Sequence, residues 1–165
     1  MDAAFELLLM NVVRESIIYG IHHRSRKNVD LSALPNKLLK HKATFVTLRI
    51  EGELRGCIGS IHPHKPLIED LSDNAYDAAF NDPRFSPLKK SEFDKLEYHI
   101  SLLTDLSPLY FSSEQALLEQ IKINEDGLLL TDGEHRSTFL PSVWEQIPEK
   151  KEFLQQLKKK AGLPI

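Results

Sequence analysis

The chain has 165 residues, of which 41% are hydrophobic and 27% are charged, and its formal net charge is −3. This length and composition are typical of a globular protein with a sizeable core, and they exclude a disordered or fibrous chain. A net charge so close to zero leaves no general basic surface, so nucleic acid is not an expected partner. We therefore expect one domain over residues 1–165.

The protein has a single cysteine. One cysteine forms no intramolecular disulfide, which suits a reducing compartment. The first six residues carry acidic groups and no basic leader, which is not the pattern of a signal peptide. No apolar run approaches the roughly 20 residues that a membrane-spanning helix needs. These features predict a cytoplasmic protein without a membrane anchor.

The first half of the chain predicts a helix followed by a β-hairpin. Apolar residues recur at helical spacing over Ala4–Tyr19, and Gly20 is the expected end of this helix. A β-branched, alternating strand follows over Ala43–Ile50. The short loop around Gly52 predicts a hairpin whose second strand starts at Leu54.

The register of this hairpin follows from its apolar pattern. Pairing Ile50 with Leu54 separates apolar from polar side chains, whereas a slip of one residue mixes them. The more apolar face then carries Val46, Leu48, Ile50, Leu54, Gly56 and Ile58. The more polar face carries Thr47, Arg49, Arg55, Cys57 and Gly59. We therefore expect Arg55 and Cys57 on the same face, two residues apart.

The second half of the chain alternates helical and extended segments. We first expect a helix opened by Pro66, a stiff loop over Asn81–Pro87, a helical turn at Ser91–Lys95 and a strand over Leu96–Asp105. A helix capped by Ser113 and a hairpin turned at Asp132-Gly133 should follow. The last expected features are a core tryptophan at Trp144 and a helix over Glu149–Lys160. Strands joined mostly by hairpins and mixed with helices predict an α+β fold with an antiparallel β-sheet flanked by helices. The sequence leaves open whether a smaller second lobe lies beside this sheet.

Three stretches in this order resemble the signatures of the AMMECR1 domain family. The first is Phe45–Leu48 followed by Gly52–Ser60, which contains the six-residue motif Leu54-Arg55-Gly56-Cys57-Ile58-Gly59, and the second is Ala78–Leu88. The third is Thr138–Glu145, with Lys160–Pro164 after it. The resemblance extends from about the first helix to the end of the chain.

The resemblance implies an α+β fold in which the Leu54–Gly59 motif lines a cleft, in an intracellular protein of unsettled biochemical activity. In bacteria and archaea such domains resemble the first component of the AmmeMemoRadiSam system. That system also has a Memo-like component, related to extradiol dioxygenases, and a radical SAM enzyme, which are the partners that the resemblance implies. The chain departs from the family pattern at Ser142, commonly glutamine, and ends at Ile165, where the family usually continues with a tryptophan-containing segment.

Cys57 is the candidate catalytic residue, as a nucleophilic thiolate. A nearby cation lowers a thiol pKa, and Arg55 on the same face is positioned to supply one. Gly56 and Gly59 leave room for close approach of a substrate or of another backbone. A base is also needed, and the sequence does not choose between His62, His64, His99 and His135. The alternative is a structural cysteine in a strand whose glycines permit tight packing.

The other candidate sites are weaker. Cys57, His62 and His64 match no established zinc spacing, so no metal and no cofactor is predicted. Arg84 suits bidentate binding of a carboxylate or phosphate, although a structural loop is the favoured interpretation. His135 lies on a predicted hairpin strand, where a solvated edge is favoured over a ligand contact.

We therefore expect an accessory protein whose cleft binds a small molecule or a segment of a partner. The candidate ligand-binding residues are Arg55, Gly56, Gly59, Arg84 and His135. Two alternatives stay open: an enzyme that uses Cys57 as nucleophile, and a structural adaptor with no catalytic role.

Overall fold

The computed structural model describes residues 2–165, which form two compact units that divide between Leu106 and Ser107. The helices are α1 Ala3–His23, α2 Asn36–Leu39, α3 Leu67–Phe80, α4 Glu114–Gln120 and α5 Lys150–Lys160, with 3₁₀ turns at Lys90–Lys95 and Pro141–Glu145. The strands are β1 Thr44–Ile50, β2 Glu53–Gly59, β3 Leu96–Leu102, β4 Leu128–Asp132 and β5 His135–Phe139. All pairings are antiparallel, so the predicted α+β class is confirmed. The assignment of residues 1–165 to one domain stays a prediction.

The first unit is a three-stranded sheet in the order β2-β1-β3, with α1 and α3 on one of its faces. Val46 and Leu48 of β1 are fully buried there against apolar residues of both helices. Alternation along a strand sends Thr47 to the opposite face, on which neither helix packs. We call this second surface the helix-free face of the first unit.

Helix α1 is longer than predicted. It continues through Gly20 to His23, and Arg24 at φ 53° ends it in a left-handed conformation. Gly20 was expected to stop the helix, and that prediction is wrong. A Cβ atom on Gly20 would overlap the ring of Phe80 in α3, so the glycine serves close packing of the two helices.

The β1–β2 hairpin differs from the prediction near its turn. Ile50 pairs with Glu53 and not with Leu54. The cause is a two-residue turn through Glu51 and Gly52, both at positive φ (53° and 79°). Such turns match the twist of the strands that they join.

A register shift in β2 restores the predicted pairing farther along the strand. Arg55 is the extra residue, located between the Arg49–Leu54 and Leu48–Gly56 pairs. A bulge of this kind bends an edge strand and re-aims one side chain. From Leu48–Gly56 onward the pairing is as predicted, so the motif's cysteine lies on the helix-free face.

The second unit contains the β4–β5 hairpin, α4 and α5. Trp144 is buried and stacked on Phe153, with ring centroids 3.7 Å apart, and its indole N–H donates to the carbonyl oxygen of Asp126 at 2.7 Å. The predicted core position of Trp144 is confirmed. Among the described residues, no helix combines the length and the hydropathy of a membrane span.

Candidate functional site

Cys57 lies in a row of side chains that crosses the helix-free face. Thr47 in the central strand pairs with Cys57 on one side and with His99 on the other. The hydroxyl of Thr47 and the sulfur of Cys57 are 3.2 Å apart and share a hydrogen bond. Cys57 and Thr47 are half-buried, whereas His99 is exposed. The structure thus places a candidate nucleophile and a candidate base in one row, with a neutral hydroxyl between them.

The outer edge of β2 is covered by the loop after α3. The backbone N–H of Cys57 donates to Oδ2 of Asp82 at 2.9 Å. Arg84 donates to both oxygens of the same carboxylate, at 3.0 and 2.8 Å, and to the carbonyl oxygen of Cys57 at 3.4 Å. Asp82 and Arg84 therefore bind the outward backbone N–H and C=O groups of Cys57, with which a further strand would otherwise pair, and this protects the edge at that residue. We call this arrangement the edge clamp.

The charges of the edge clamp stabilise one another. The hydrogen bond from Arg84 is the largest cause that lowers the pKa of Asp82 to about 2, although burial opposes it. The backbone N–H groups of Cys57 and Arg84 add to this lowering. In return, Asp82 raises the pKa of Arg84, and so does the nearby Cys57. Asp82 accepts from the two nitrogens, Nε and Nη2, with which Arg84 would grip a bidentate ligand. Binding of a carboxylate or phosphate by Arg84 stays a prediction.

Arg55 is held by a second carboxylate. Its Nε donates to Glu92 at 2.8 Å, and its Nη2 donates to Glu92 at 3.1 Å and to the carbonyl oxygen of Ser86 at 2.9 Å. Glu92 also accepts from the backbone N–H of Lys89 at 2.8 Å. The bond from Arg55 is the main cause that lowers the pKa of Glu92. Arg55 therefore joins the bulge of β2 to the 3₁₀ turn at Lys90–Lys95.

This placement bears on the proposed activation of Cys57. Arg55 was expected to act as the cation beside the thiol, but its guanidinium is bound to Glu92 and Ser86. The guanidinium that contacts Cys57 is that of Arg84, whose Nη2 donates to the carbonyl oxygen of Cys57 at 3.4 Å. That interaction crosses from the loop after α3, a contact that no local pattern in the sequence indicates.

The two motif glycines are explained by packing. A Cβ atom on Gly56 would overlap the carbonyl oxygen of Ala78 in α3. A Cβ atom on Gly59 would overlap the ring of Phe45, which covers the glycine from the neighbouring strand. Both glycines therefore allow close approach of the protein's own groups. Their predicted contact with a ligand stays a prediction.

A buried carboxylate that the sequence analysis did not single out fixes the far end of the motif. Asp70 of α3 is 1% exposed. It accepts hydrogen bonds from the backbone N–H and hydroxyl of Thr44 at 2.8 and 2.7 Å, from Ser60 at 2.6 Å and from Asn74 at 3.0 Å. Through these donors, Asp70 connects the start of β1, helix α3 and the residue that follows β2. The negative charge also lies in the first turn of α3, where the helix dipole favours it.

The remaining candidate, His135, lies in the other unit. It is exposed on β5, whereas Arg55, Gly56, Cys57, Gly59 and Arg84 all belong to the first unit. Across residues 2–165, no group of three or more His, Cys, Asp or Glu side chains is arranged to hold a metal ion.

A shallow cavity of about 330 Å³ lies elsewhere in the first unit. It is lined by residues 26–29 and by Lys65, Glu69 and Asp73. Lys65 and Asp73 form an ion pair at 2.5 Å within it. No residue of the Leu54–Gly59 motif lines this cavity, so it does not coincide with the motif.

Known proteins share the fold and much of the sequence of this chain. A crystal structure of the uncharacterised protein PH0010 from Pyrococcus horikoshii matches with a TM-score of 0.87 and 31% identity, over 95% of this chain and 79% of that one. A protein of Methanothermobacter thermautotrophicus is 41% identical over 87% of this chain and 76% of its own length. A protein of Aquifex aeolicus is 42% identical over 80% of this chain and 69% of its own length. The model of the AMMECR1 family matches residues 10–165, and the chain therefore belongs to the AMMECR1 family.

Proposed function

We propose that this protein is an accessory component of a modification pathway and binds a partner segment or a small molecule on the helix-free face of its first unit. The partners that fit this role are a Memo-like protein and a radical SAM enzyme, as the family resemblance implies. The site of action is the cytoplasm, where a single cysteine stays reduced.

The observation that carries this proposal is that helices α1 and α3 cover one face of the sheet and leave the other face without a helix. Helices α1 and α3 pack on the face of Val46 and Leu48, so that face is core. Thr47, Cys57 and His99 form a polar row on the other face. A polar row on a rigid sheet is a suitable surface for recognition, because its positions are fixed before a ligand arrives.

The contacts of Cys57 favour binding over covalent catalysis. Its sulfur shares a hydrogen bond with the neutral hydroxyl of Thr47, and Thr47 separates it from His99. A nucleophilic cysteine needs a base within hydrogen-bond reach. Cys57 lies on β2 and His99 on β3, and the central strand β1 lies between them. An enzyme that uses Cys57 as a thiolate, and an adaptor with a purely structural motif, are the less supported alternatives.

The test is an NMR titration of the ¹⁵N-labelled full chain. An unlabelled Memo-like protein and an unlabelled radical SAM enzyme are the two probes, each added separately. We expect amide shifts that cluster at Thr47, Cys57 and their neighbours on the helix-free face. Absence of shifts with both probes would refute the pathway assignment, and shifts confined to the outer side of α1 would refute the site.

Two tryptophan variants give a matched control for this experiment. Thr47→Trp places bulk in the middle of the polar row, and Asn11→Trp places the same bulk on an exposed position of α1. We expect the first variant to lose binding and the second to retain it, once circular dichroism shows that both are folded. Equal binding by both variants contradicts the proposed site.

A further inference from the structure

The two outer edges of the three-stranded sheet, β2 and β3, differ in whether their outward backbone groups are bound. Leu103 donates its backbone N–H to the carbonyl oxygen of Ala43 at 2.9 Å, which fixes the alternation of hydrogen bonds between β1 and β3. In that alternation, Tyr98, Ile100 and Leu102 direct their N–H and C=O groups away from β1. These outward backbone groups have no hydrogen-bond partner among the described residues.

The edge of β3 also lacks three features that often prevent strand pairing: proline, lysine and a bulge. Its seven residues, Leu96–Leu102, contain neither proline nor lysine, and its register with β1 is continuous. The opposite edge strand, β2, has a bulge and the edge clamp formed by Asp82 and Arg84. A long, regular and unclamped edge is a template for pairing with another strand.

We propose that β3 pairs antiparallel with β3 of a second copy of this chain, about a two-fold axis at Tyr98. The two sheets then form one six-stranded sheet in the order β2-β1-β3-β3-β1-β2. At the axis, the two Tyr98 residues exchange a pair of backbone hydrogen bonds. Pairing of this kind is isologous and closed, so it ends at a dimer.

Side-chain complementarity favours the second copy and this register, because a carboxylate opposite an imidazole can accept a hydrogen bond from a ring N–H. With Tyr98 at the axis, Glu97 lies opposite His99 of the second copy, and the pair occurs twice by symmetry. Both side chains are exposed on the helix-free face, and such cross-strand pairs without backbone hydrogen bonds bring side chains close together. A register centred on His99 would instead place two histidines opposite each other and Glu97 opposite Ser101, which loses both attractive pairs.

The first test is sedimentation equilibrium of the full chain over a range of concentrations. We expect a monomer–dimer equilibrium whose Kd rises about tenfold in His99→Glu, because two attractive pairs become repulsive. The double variant Glu97→Lys/His99→Glu restores an attractive pair and lowers the Kd again. Asn11→Glu, on the exposed side of α1, adds the same charge and leaves the Kd unchanged.

The second test determines the register, in a Cys57→Ser background that removes the native thiol. Glu97→Cys and His99→Cys chains are mixed and oxidised with oxidised glutathione. We expect a mixed disulfide dimer, and no cross-link from His99→Cys alone. A chain that is monomeric at all concentrations, a dimer that His99→Glu leaves intact, or cross-linking of His99→Cys alone would each overturn the proposal.

Discussion

Replacing Asp82 with asparagine removes the charge at the centre of the edge clamp. The pKa of Asp82 is lowered from 3.8 to about 2 in the folded chain, chiefly by the hydrogen bond from Arg84. That difference corresponds to roughly 2 to 3 kcal/mol of stability at neutral pH, at about 1.4 kcal/mol for each pKa unit. The Arg84 side chain is 55% exposed, and solvent screening weakens its contribution. We therefore expect Asp82→Asn to lower the free energy of unfolding by about 2 kcal/mol at pH 7.

The pH dependence of this loss has a definite sign. The folded pKa of Asp82 lies below its unfolded value, so the ionised carboxylate stabilises the folded state above pH 3.8. The stabilisation is lost as the pH falls toward about 2, where Asp82 becomes protonated in the folded chain as well. The difference between the wild type and the variant should therefore fall to about half near pH 3.

Urea unfolding of both proteins between pH 2.5 and 7 measures this difference directly. Asp105→Asn is the matched control, because Asp105 is exposed and the same substitution there should change the free energy of unfolding by less than about 0.5 kcal/mol. Equal stability of the wild type and Asp82→Asn at pH 7 would refute the edge clamp. A constant difference down to pH 2.5 would show that Asp82 acts through its shape and not through its charge.

Two further substitutions test the scaffold of the motif, each by urea unfolding at pH 7. Gly56→Ala should destabilise the fold by about 3 kcal/mol, because the new Cβ overlaps the backbone of Ala78. Gly52→Ala, where open space surrounds the glycine at φ 79°, should cost only about 1 kcal/mol, and equal losses would contradict the packing argument. Arg55→Ala should cost about 2 kcal/mol, because it leaves the partly buried carboxylate of Glu92 without its cation. Arg55→Lys should recover less than half of that loss, because lysine lacks the bidentate fork, and full recovery would contradict the geometry.

Local patterns in the sequence predicted the elements well. Alternation assigned Thr47 and Cys57 to one face, because the period of two is a property of the strand itself. The bulge at Arg55 was not predictable, because a two-residue turn and a longer loop fit the same alternation. Gly20 failed as a helix stop because the same residue type serves both helix ends and close helix packing.

The partners of the motif were not predictable, because they are distant in the chain. Glu92 is 37 residues from Arg55, and Asp82 is 25 residues from Cys57. Asp70 lies in a helix whose apolar stripe was predicted, but nothing local marks its carboxylate as the acceptor for Thr44. Sequence patterns describe the face of an element, whereas these contacts depend on which elements meet.

The structure separates the residues of the motif by what they do. The guanidinium of Arg55 is bound to Glu92, and Gly56 and Gly59 are covered by groups of the chain itself. Substitutions at these three positions should therefore lower the stability of the fold, whatever else they change. Cys57 is different, because its backbone is fixed by Asp82 while its side chain reaches the polar row on the helix-free face. Variants of that row, and not of the whole motif, are the ones in which a loss of binding with unchanged stability reports on function.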